Sequence, residues 1–365
     1  MMRKKRVNIK YIAKEAGVST QTVSRVINNE PHVAPDTRKR ILNIINRLGY
    51  RPSQLARSLS HGRSGTLGVM GHGMKFYGPS RTFSGIEQEA VDLGYNLFLR
   101  LVRHPETQNL EELVDSMLSY HVEGIIWAVP EIANNRDWIL PEIPKLPIPV
   151  VFINMEQHAE VSVVAVDNRK GGELATNHLL KQNPKNIGII TGPMKWWEAR
   201  QRSMGWRNAL ERAGREISAD LIVEGDWTPA SGEIAMNELL NQRPDIDAVF
   251  ASNDQMALGA IKAIKNFGMK IPDDIIIIGF DDIPEAPFFD PPLSTICQDI
   301  TELGSSAVRE LYRMIKLVQD SLPVTSSYTL LEPCLIIRES SVRTKQPCDQ
   351  IRMAHDGESA KRCDH

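Results

Sequence analysis

The sequence predicts two dissimilar folding units: a small all-α domain with a hinge helix, then an α/β domain of two lobes built on parallel sheets. A chain of 365 residues exceeds what one hydrophobic core usually organises. The first fifty residues carry short apolar stripes of helical spacing between cap residues. From Gly65 onward, strand-length apolar runs alternate with helical stretches.

The overall composition is that of a water-soluble globular protein. Hydrophobic residues make up 42% and charged residues 24% of the chain, and no apolar run approaches the ~20 residues that span a bilayer. The N-terminus is basic and amphipathic and does not resemble a secretory signal, so we expect a cytoplasmic protein without a membrane partner. The four cysteines lie late and form no CxxC pair, so we expect neither structural zinc nor a disulfide framework. We also expect no cofactor.

The charge distribution is strongly asymmetric. Residues 1–63 contain 14 Lys and Arg against three Asp and Glu, although the whole chain has a formal net charge of -2. Such polarity indicates that the N-terminal segment meets a polyanion. The alternative is a solvated basic tail, and only the pattern within the segment decides between the two.

That pattern is three short helices. Asn8 can cap a first helix that Gly17 ends, and Ser19 can cap a second two residues later. A third helix begins with Pro35 at its first position and ends at Gly49. The first two helices, joined by a tight turn, are typical of a helix-turn-helix. The apolar residues at helical spacing, which should be buried, are Ile9, Ile12, Ala13, Ala16, Val23, Val26, Ile27, Ile41, Ile44, Ile45 and Leu48.

The polar face of the second helix is suited to reading DNA bases. Gln21 and Arg25 are four residues apart and lie opposite the valines, with Thr20 and Ser24 beside them. Arg matches the paired acceptors of guanine, and Gln matches the donor and acceptor of adenine. We therefore assign Gln21 and Arg25 to base readout and Thr20 to the entry of the helix. An ordinary solvated face is the alternative, which the basic segment makes less favourable.

The segment NIKYIAKEAGVSTQTVSRVINNEPHVAPDTRKRILNIINRLGYRPSQLARSL resembles the LacI/GalR family of transcriptional repressors throughout, and GVSTQTVSRVIN is a specific signature. The resemblance implies a DNA-binding repressor with a two-lobed, periplasmic-binding-protein-like sensing domain. It also implies that Asn28, His32 and the residues from Arg3 to Arg6 lie near the phosphate backbone. The domain boundaries expected are 1–51 for DNA binding, 52–64 for the hinge, 65–343 for effector binding and dimerisation, and 344–365 for a disordered tail.

The hinge contains Leu55 and Leu59 at helical spacing, but about seven residues cannot form a stable helix alone in water. In the family, the hinge folds on the operator when two chains pair, and a leucine at the position of Leu59 wedges into the minor groove. Leu59 is the candidate wedge. Alternatively, both leucines pack the linker against the next domain.

In the sensing domain we expect two lobes. The first series of predicted strands is TLGVMG, YNLFLRLV, EGIIWAV and IPVVFIN; the second is VSVVAVD, NIGIITG, LIVEGDW, DAVFASND and DIIIIGFDD. Continuous rather than alternating hydrophobicity indicates parallel sheets covered on both faces. Ligands of such folds bind beyond the carboxyl ends of strands. Polar residues follow several of these strands, namely Asn154, Asp167, Asp226, Asn253, Asp281 and Asp282.

The family resemblance extends over residues 7–340 and assigns an effector pocket. The matching positions are Arg202, Trp227, Asn253, Asp281 and Gln298. Arg202, Asn253 and Asp281 are expected to hydrogen-bond sugar hydroxyls while Trp227 stacks on the ring. For each strand-end Asp or Asn, the alternative is a cap on the following helix.

Other pocket positions depart from the branch of the family that the chain resembles most. That branch has an aspartate, a serine and a leucine where this chain has Asn154, Glu198 and Phe76, and a smaller serine at the position of His72. We therefore expect a similar hexose core with a different substituent or linkage, and a β-galactoside or related glycoside as the effector.

The tail after Arg343 contains no leucine heptad, so the resemblance predicts a homodimer on a palindromic operator rather than a tetramer. Two alternatives are an enzyme such as a glycosidase and a sugar-binding protein without a regulatory role. No nucleophile elbow, P-loop or metal-ligand helix occurs in the sequence, which argues against an enzyme.

Overall fold

The computed structural model describes residues 8–50, 63–103, 110–132, 135, 141 and 143–343. The chain divides after Gly65 into two compact units, which are considered separately. The predicted wedge Leu59 and its neighbour Leu55, the basic residues Arg3 to Arg6, and the tail 344–365 lie outside the described residues. None of the described helices is both long and apolar enough to cross a membrane.

The N-terminal unit consists of three helices, as predicted. They are α1 (Ile9–Ala16), α2 (Thr20–Ile27) and α3 (Pro35–Leu48). The Asn8 side chain accepts a hydrogen bond from the Tyr11 amide and that of Ser19 from the Thr22 amide, so both predicted N-caps are confirmed. Gly17 and Gly49 end α1 and α3 in the left-handed conformation, which glycine adopts without steric cost.

The core of this unit lies where the three helices meet. The fully buried side chains are Ile12, Ala13, Ala16, Val23, Val26, Ile41 and Ile44. Ile9, Ile27, Ile45 and Leu48, which the sequence also predicted as core, are only partly buried around it. Three short helices have too little volume to cover the margins of their own apolar stripes.

The larger unit contains a further set of strands and helices. Its described strands are β1 (Thr66–Gly71), β2 (Asn96–Leu101), β3 (Ile125–Ala128), β4 (Val150–Ile153), β5 (Ser162–Val166), β6 (Ile187–Thr191), β7 (Ile222–Glu224), β8 (Ala248–Ala251), β9 (Ile276–Ile278), β10 (Thr295–Cys297), β11 (Tyr328–Leu331) and β12 (Cys334–Ile336). Its described α-helices are α4 (Tyr77–Asp92), α5 (Leu110–Ser119), α6 (Asn168–Leu180), α7 (Trp197–Arg212), α8 (Pro229–Gln242), α9 (Asp254–Asn266) and α10 (Ile300–Gln319).

Two parallel sheets form two lobes, as the hydrophobic pattern predicted. The first sheet has the order β11-β5-β4-β3-β1-β2 and the second has the order β7-β6-β8-β9. Strands β3 to β6, β8 and β9 are almost entirely buried, because helices pack on both faces of each sheet. A short antiparallel pair, β10 with β12, completes the second lobe.

One strand was assigned to the wrong lobe. The sequence analysis placed VSVVAVD at the start of the second series, but β5 pairs with β4 in the first sheet, with Val151 opposite Ser162. The chain enters the second lobe only after β5, and it returns through α10 to add β11 beside β5. A buried parallel strand has the same apolar pattern in either sheet, so periodicity alone could not assign it.

Helices α4 and α10 pack at unusually close range because each has a glycine at the contact. A Cβ atom on Gly85 would overlap the carbonyl oxygen of Thr301, and one on Gly304 would overlap that of Thr82. Helix α10 packs on β3, β4 and β5 of the first sheet and α4 packs on β2, and α10 begins shortly after β10 ends. The spacing of these helices therefore influences the shape of the lobe near its strand ends.

We predict that Gly85→Ala destabilises the protein by about 1–3 kcal/mol, because the new methyl group meets backbone that cannot rotate away. Gly78→Ala, in the first turn of the same helix, is the matched control. A Cβ there has no neighbour within 4 Å, so the higher helix propensity of alanine should leave stability equal or raise it by up to ~1 kcal/mol. Urea unfolding monitored by circular dichroism measures both; equal midpoints for the two variants would contradict the close contact.

Candidate functional site

The exposed face of α2 carries the side chains that the sequence assigned to DNA. Thr20, Gln21 and Arg25 are exposed on the side opposite the buried Val23 and Val26. These polar side chains follow directly on the tight turn that joins α1 to α2. The N-terminal unit thus presents a polar helix whose outer face makes no core contact.

The remaining predicted contacts lie at the end of α2 and in the turn after it. Asn28 is the C-cap of α2, and its side-chain amide donates to Ser24 Oγ over 3.4 Å. His32 is exposed and has a positive φ of 73° in the turn that leads to α3. The Arg25 guanidinium lies 3.9 Å from the Glu30 carboxylate, a loose and solvent-exposed pair that costs little to break.

A cleft of about 950 Å³, including its open mouth, lies between the lobes of the larger unit. Segments that follow β1, β3 and β4 line it from the first lobe, and α7 with the segments after β7, β8 and β9 lines it from the second. All nine residues predicted to contact an effector line this cleft: His72, Phe76, Asn154, Glu198, Arg202, Trp227, Asn253, Asp281 and Gln298. They are separated by up to 226 positions in the chain, and the fold brings them together.

The polar floor of the cleft is centred on Arg202. Its guanidinium is buried and donates from Nε to Asn168 Oδ1 over 2.8 Å. From Nη1 it donates to the Ser252 carbonyl oxygen, and it lies 3.4 Å from Asp281 Oδ1. The Gln298 amide donates to the same Asp281 oxygen over 2.6 Å. This network holds Asp281 in a fixed position at the floor, with its carboxylate oriented by both partners.

Burial controls the protonation of the carboxyl groups in the floor. Desolvation raises the pKa of Asp281 to about 6, although Arg202 and Gln298 oppose the shift. Beneath it, Asp254 is fully buried and accepts hydrogen bonds from Thr295 Oγ1 at 2.6 Å and from the Ile283 amide at 2.9 Å. Burial, and then the charge of Asp281, raises the pKa of Asp254 well above its ordinary value. At pH 7, Asp281 is therefore mostly ionised beside Arg202.

Trp227 and Asn253 are linked on the second-lobe wall. Asn253 caps α9 through Oδ1, which accepts from the Met256 amide, while its Nδ2 donates to the Trp227 carbonyl over 3.1 Å. The capping alternative therefore applies to Asn253, and the same side chain also positions Trp227. Trp227 has a positive φ of 74°, and its Nε1 is buried without a hydrogen-bond partner among the described residues. Such strained backbone often occurs at ligand sites.

Trp196 is a cleft residue that the sequence analysis missed. It is 9% exposed, and its ring lies 6.0 Å from His72, 6.2 Å from Phe76 and 6.1 Å from Trp227 between centroids. It therefore connects aromatic residues of both lobes. The sequence signal was the Trp-Trp pair directly before EARQR, but nothing in that pair shows which tryptophan faces the ligand.

His72 and Asn154 are held by the first lobe. The Nδ1 atom of His72 lies 2.8 Å from the Val102 carbonyl oxygen, which can only accept, so Nδ1 donates this hydrogen bond. Asn154 has a positive φ of 50°, and its Oδ1 accepts from the Val166 amide over 3.1 Å. Both side chains are fixed by backbone partners and need not be ordered by a ligand.

Three of the polar strand ends do not line the cleft. Asp167 caps α6 by accepting from the Lys170 amide, and Asp226 accepts from Thr228 in an exposed turn. Asp282 forms an ion pair with Arg338 at 2.8 Å. For these residues the capping or structural alternative is the correct one.

Glu198, in the first turn of α7, has an unusual environment. Its side chain lines the cleft, and its Oε2 atom is buried without a hydrogen-bond partner among the residues that the structure describes. Burial raises the pKa of Glu198 to about 7, although a hydrogen bond from its own backbone amide and the charge of Arg202 lower it; Glu131 raises it further. Near neutral pH, this group is poised between its neutral and ionised forms.

Beside the cleft, the two lobes are joined by a second polar contact. Glu131, which follows β3 of the first lobe, accepts from Arg200 of α7 over 2.9 Å. Its backbone carbonyl accepts from the Trp197 amide over 3.0 Å, and Ile132 forms an antiparallel bridge with Trp196. This interlobe clasp, formed by Glu131, Ile132, Trp196, Trp197 and Arg200, therefore holds the start of α7 against the first lobe.

Comparison with known proteins matches both units. Residues 8–53 match the bacterial regulatory proteins of the lacI family, and residues 176–341 match a periplasmic binding protein-like domain. The HTH-type transcriptional repressor PurR of Pasteurella multocida (strain Pm70) is 34% identical over 332 residues, which are 91% of this chain and 98% of the relative. The chain belongs to the LacI family of bacterial regulators. The same repressor of Haemophilus influenzae (strain PittEE) is 35% identical over equal shares of both chains.

Solved structures of the LacI family agree. The lac repressor dimer bound to operator and the anti-inducer ONPF is 29% identical, with a TM-score of 0.84 over 93% of this chain and 100% of that one. A complex of the transcriptional regulator CelR with cellobiose is also 29% identical, with a TM-score of 0.68 over 92% of this chain and 100% of that one. This LacI-family member is accordingly a DNA-binding transcriptional repressor and not an enzyme.

We predict that Glu198→Gln stabilises the protein above pH 7, by on the order of 2 kcal/mol, and that the gain fades toward pH 5. Because the pKa of Glu198 is raised to about 7, the folded state binds more protons than the unfolded state from its ordinary value of 4.5 up to 7. The free energy of unfolding therefore falls as pH rises through that window, and glutamine removes this loss.

Urea unfolding from pH 5 to pH 8.5 measures the effect of the substitution. Glu211→Gln, exposed on the same helix, is the matched control and should change stability little and evenly across the range. Asp281 titrates in every variant, so only the difference from wild type reports Glu198. A difference that does not change with pH would contradict the burial argument.

Proposed function

We propose that this repressor controls a carbohydrate-utilisation operon and that a sugar bound in the interlobe cleft, a galactoside or related glycoside, releases it from a palindromic operator. The observation that carries the proposal is the pairing of a hydrogen-bonding floor with aromatic walls in one cleft. Arg202, Asp281 and Gln298 form the floor, and Trp196 and Trp227 form part of the walls.

This combination suits a pyranose better than a simple ion or a lipid. Carboxylate, amide and guanidinium groups can bind ring hydroxyls, while an indole face covers the apolar C–H surface of the ring. Two solved structures support a sugar: the complex of the transcriptional regulator CelR with cellobiose, and the lac repressor bound to ONPG in the repressed state, with 29% identity and a TM-score of 0.84. The substituents of the sugar would be selected by Asn154, Glu198, Phe76 and His72, the positions where the cleft departs from the related pattern.

On DNA, we propose that Gln21 and Arg25 read bases in the major groove. Ser24 and Thr20 lie beside them, and Asn28 and His32, at and after the end of α2, would contact phosphates. A second copy of the chain would supply the other half-site, as in the lac repressor dimer on its operator. Leu59 remains the proposed minor-groove wedge.

In the proposed coupling between the cleft and DNA binding, the two lobes switch between two arrangements. A sugar that touches both walls favours the arrangement in which the walls are close, and the interlobe clasp lies beside that contact. A change in lobe angle would alter how two hinge segments meet in a dimer. The coupling free energy between such sites is typically ~1–3 kcal/mol.

A planar heterocycle such as a purine base is the second candidate ligand. The observation that favours it is the set of aromatic side chains in the cleft, which could stack on a flat ring as well as on a sugar. The donors and acceptors of a base lie only in the plane of its ring, whereas a pyranose has hydroxyl groups around its ring and an apolar C–H face that match both the floor and the walls. We therefore rank the base after a glycoside and include it in the test below.

We predict that Arg25→Ala weakens operator binding by about 1–3 kcal/mol and relaxes base preference at one position of each half-site. Arg47→Ala is the matched control, because it removes the same charge from an arginine that pairs with Glu15 on α1. The control should lose less affinity and no base preference. Fluorescence anisotropy with operator variants measures both; equal losses on every sequence would show that Arg25 contacts phosphate only.

The proposed function is tested by a gel shift on DNA upstream of the protein's own gene, titrated with glycosides and purine bases. We expect a galactoside or related glycoside to release the DNA, and Trp227→Ala to abolish the response while the unliganded protein still binds. Release by a purine base and by no glycoside would overturn the sugar assignment. Tighter DNA binding with a glycoside would overturn the direction of the switch.

A further inference from the structure

The cleft contains a carboxyl group whose countercharge is missing. Of the described residues that line it, Glu198 and Asp281 are acidic and Arg202 is the permanent cation. Arg202 is already committed to Asp281 at 3.4 Å, to Asn168 and to the Ser252 carbonyl. Glu198 is left with a buried Oε2 that has no hydrogen-bond partner among those residues.

The neighbouring carboxylate of Glu131, beside the cleft, does have hydrogen-bond partners. Glu131 pairs with Arg200 at 2.9 Å and also accepts from the Glu156 amide. The charged groups that act on Glu198 are Arg202 and Arg200 of its own helix and Glu131 of the first lobe, while His72 and Asp281 line other walls of the cleft. Both arginines are paired elsewhere, so neither neutralises Glu198.

Aromatic rings lie in the same part of the cleft. Trp196, two residues before Glu198, is within 6.2 Å of the rings of His72, Phe76 and Trp227 between centroids. The π faces of such rings attract a cation, and the attraction grows when the cation is shielded from water. Lys75 Nζ already lies 4.8 Å from the centre of the Phe76 ring, and the Arg202 guanidinium lies 5.5 Å from that of Trp227. The ring of Trp196, which lines the same cleft as the Glu198 carboxylate, is the one that could face an ammonium group of a ligand.

We propose that the effector carries a positively charged nitrogen, which makes an amino sugar its chemical class, with the ammonium group paired to Glu198 beside the rings around Trp196. The proposal rests on the proposed function, because it specifies the ligand of the same cleft. A neutral sugar can hydrogen-bond to Glu198 through a hydroxyl group, but it supplies no countercharge for the carboxylate. An ammonium group supplies the missing charge and donates up to three hydrogen bonds.

Binding of an ammonium ligand would change the protonation of Glu198. Burial raises the pKa of Glu198 to about 7, so at pH 7 about half of the free protein carries a proton on this group. An ammonium ligand binds the ionised form and therefore drives this proton off. A neutral ligand that accepts a hydrogen bond from the protonated Glu198 would instead cause proton uptake by this group. The sign of the proton exchange separates the two cases.

The test is calorimetric titration of the full-length protein at pH 7 with methyl galactosides and glucosides bearing a hydroxyl, acetamido or free amino group at C2 or C6. We expect one amino glycoside to bind at least tenfold more tightly than its hydroxyl and acetamido counterparts. Titrations in two buffers of different ionisation enthalpy should show proton release. Glu198→Gln should reduce the preference below threefold and abolish the release, whereas the control Glu211→Gln should retain both.

The comparison of glycosides on the unaltered protein does not depend on the folding of any variant. Equal or tighter binding of the hydroxyl or acetamido glycosides, or proton uptake on binding, would overturn the proposal. If a neutral glycoside then releases the operator, the proposed function stands and only the amino-sugar inference fails. If no glycoside of either kind binds and a purine base does, both fail.

Discussion

The burial of the Arg202 guanidinium is the constraint on which the cleft depends. A guanidinium removed from water must have its donors satisfied, and burial lowers the pKa of Arg202 against the opposing pull of Asp281. Its partners come from the start of α6, the end of β8 and the segment after β9, and its plane lies 3.7 Å from the centre of the Phe280 ring. Satisfying one side chain thus fixes three separate chain segments and places Asp281 and Gln298 at the floor.

The N-terminal end of helix α7 joins the two lobes. Helix α7 carries Trp196 at its N-cap and Glu198, Arg200 and Arg202 in its first turns, so one helix end supplies the aromatic wall, the unpaired acid, the interlobe ion pair and the floor. Movement of this helix end relative to the first lobe changes all four features together. A ligand that bridges the walls therefore acts on the element that also sets the lobe arrangement, as an allosteric site requires.

How much of this could be predicted depends on the range of the interactions. Caps and stops at Asn8, Gly17, Ser19 and Gly49 depend on bonds within four residues, and the sequence predicted them correctly. All nine predicted strands exist, but the lobe of β5 was wrong because its pattern fits either sheet. The strands β10, β11 and β12 were missed because each has only three or four residues, too few for a continuous apolar run of strand length.

For the cleft, too, the features that depend on local patterns could be predicted and those that depend on long-range packing could not. The residues at strand ends and on α7 could be placed in one pocket because parallel strands end at the same edge, and the family resemblance supplied the positions. The interlobe clasp and the role of Trp196 could not be predicted, because Glu131 and Arg200 are 69 residues apart and meet only after the lobes pack. The unpaired state of Glu198 is likewise a property of the packed cleft, since the Arg202 four residues later appears in sequence to be its natural partner.

The central claim is that the cleft and the DNA-binding unit are two sites of one switch. Thermodynamic reciprocity tests it directly: a calorimetric titration of effector into the free repressor and into the repressor saturated with operator DNA. We expect weaker effector binding to the operator complex, by about 5- to 150-fold, which is the same factor by which saturating effector weakens operator binding. Equal effector affinity for the free and operator-bound repressor would contradict it.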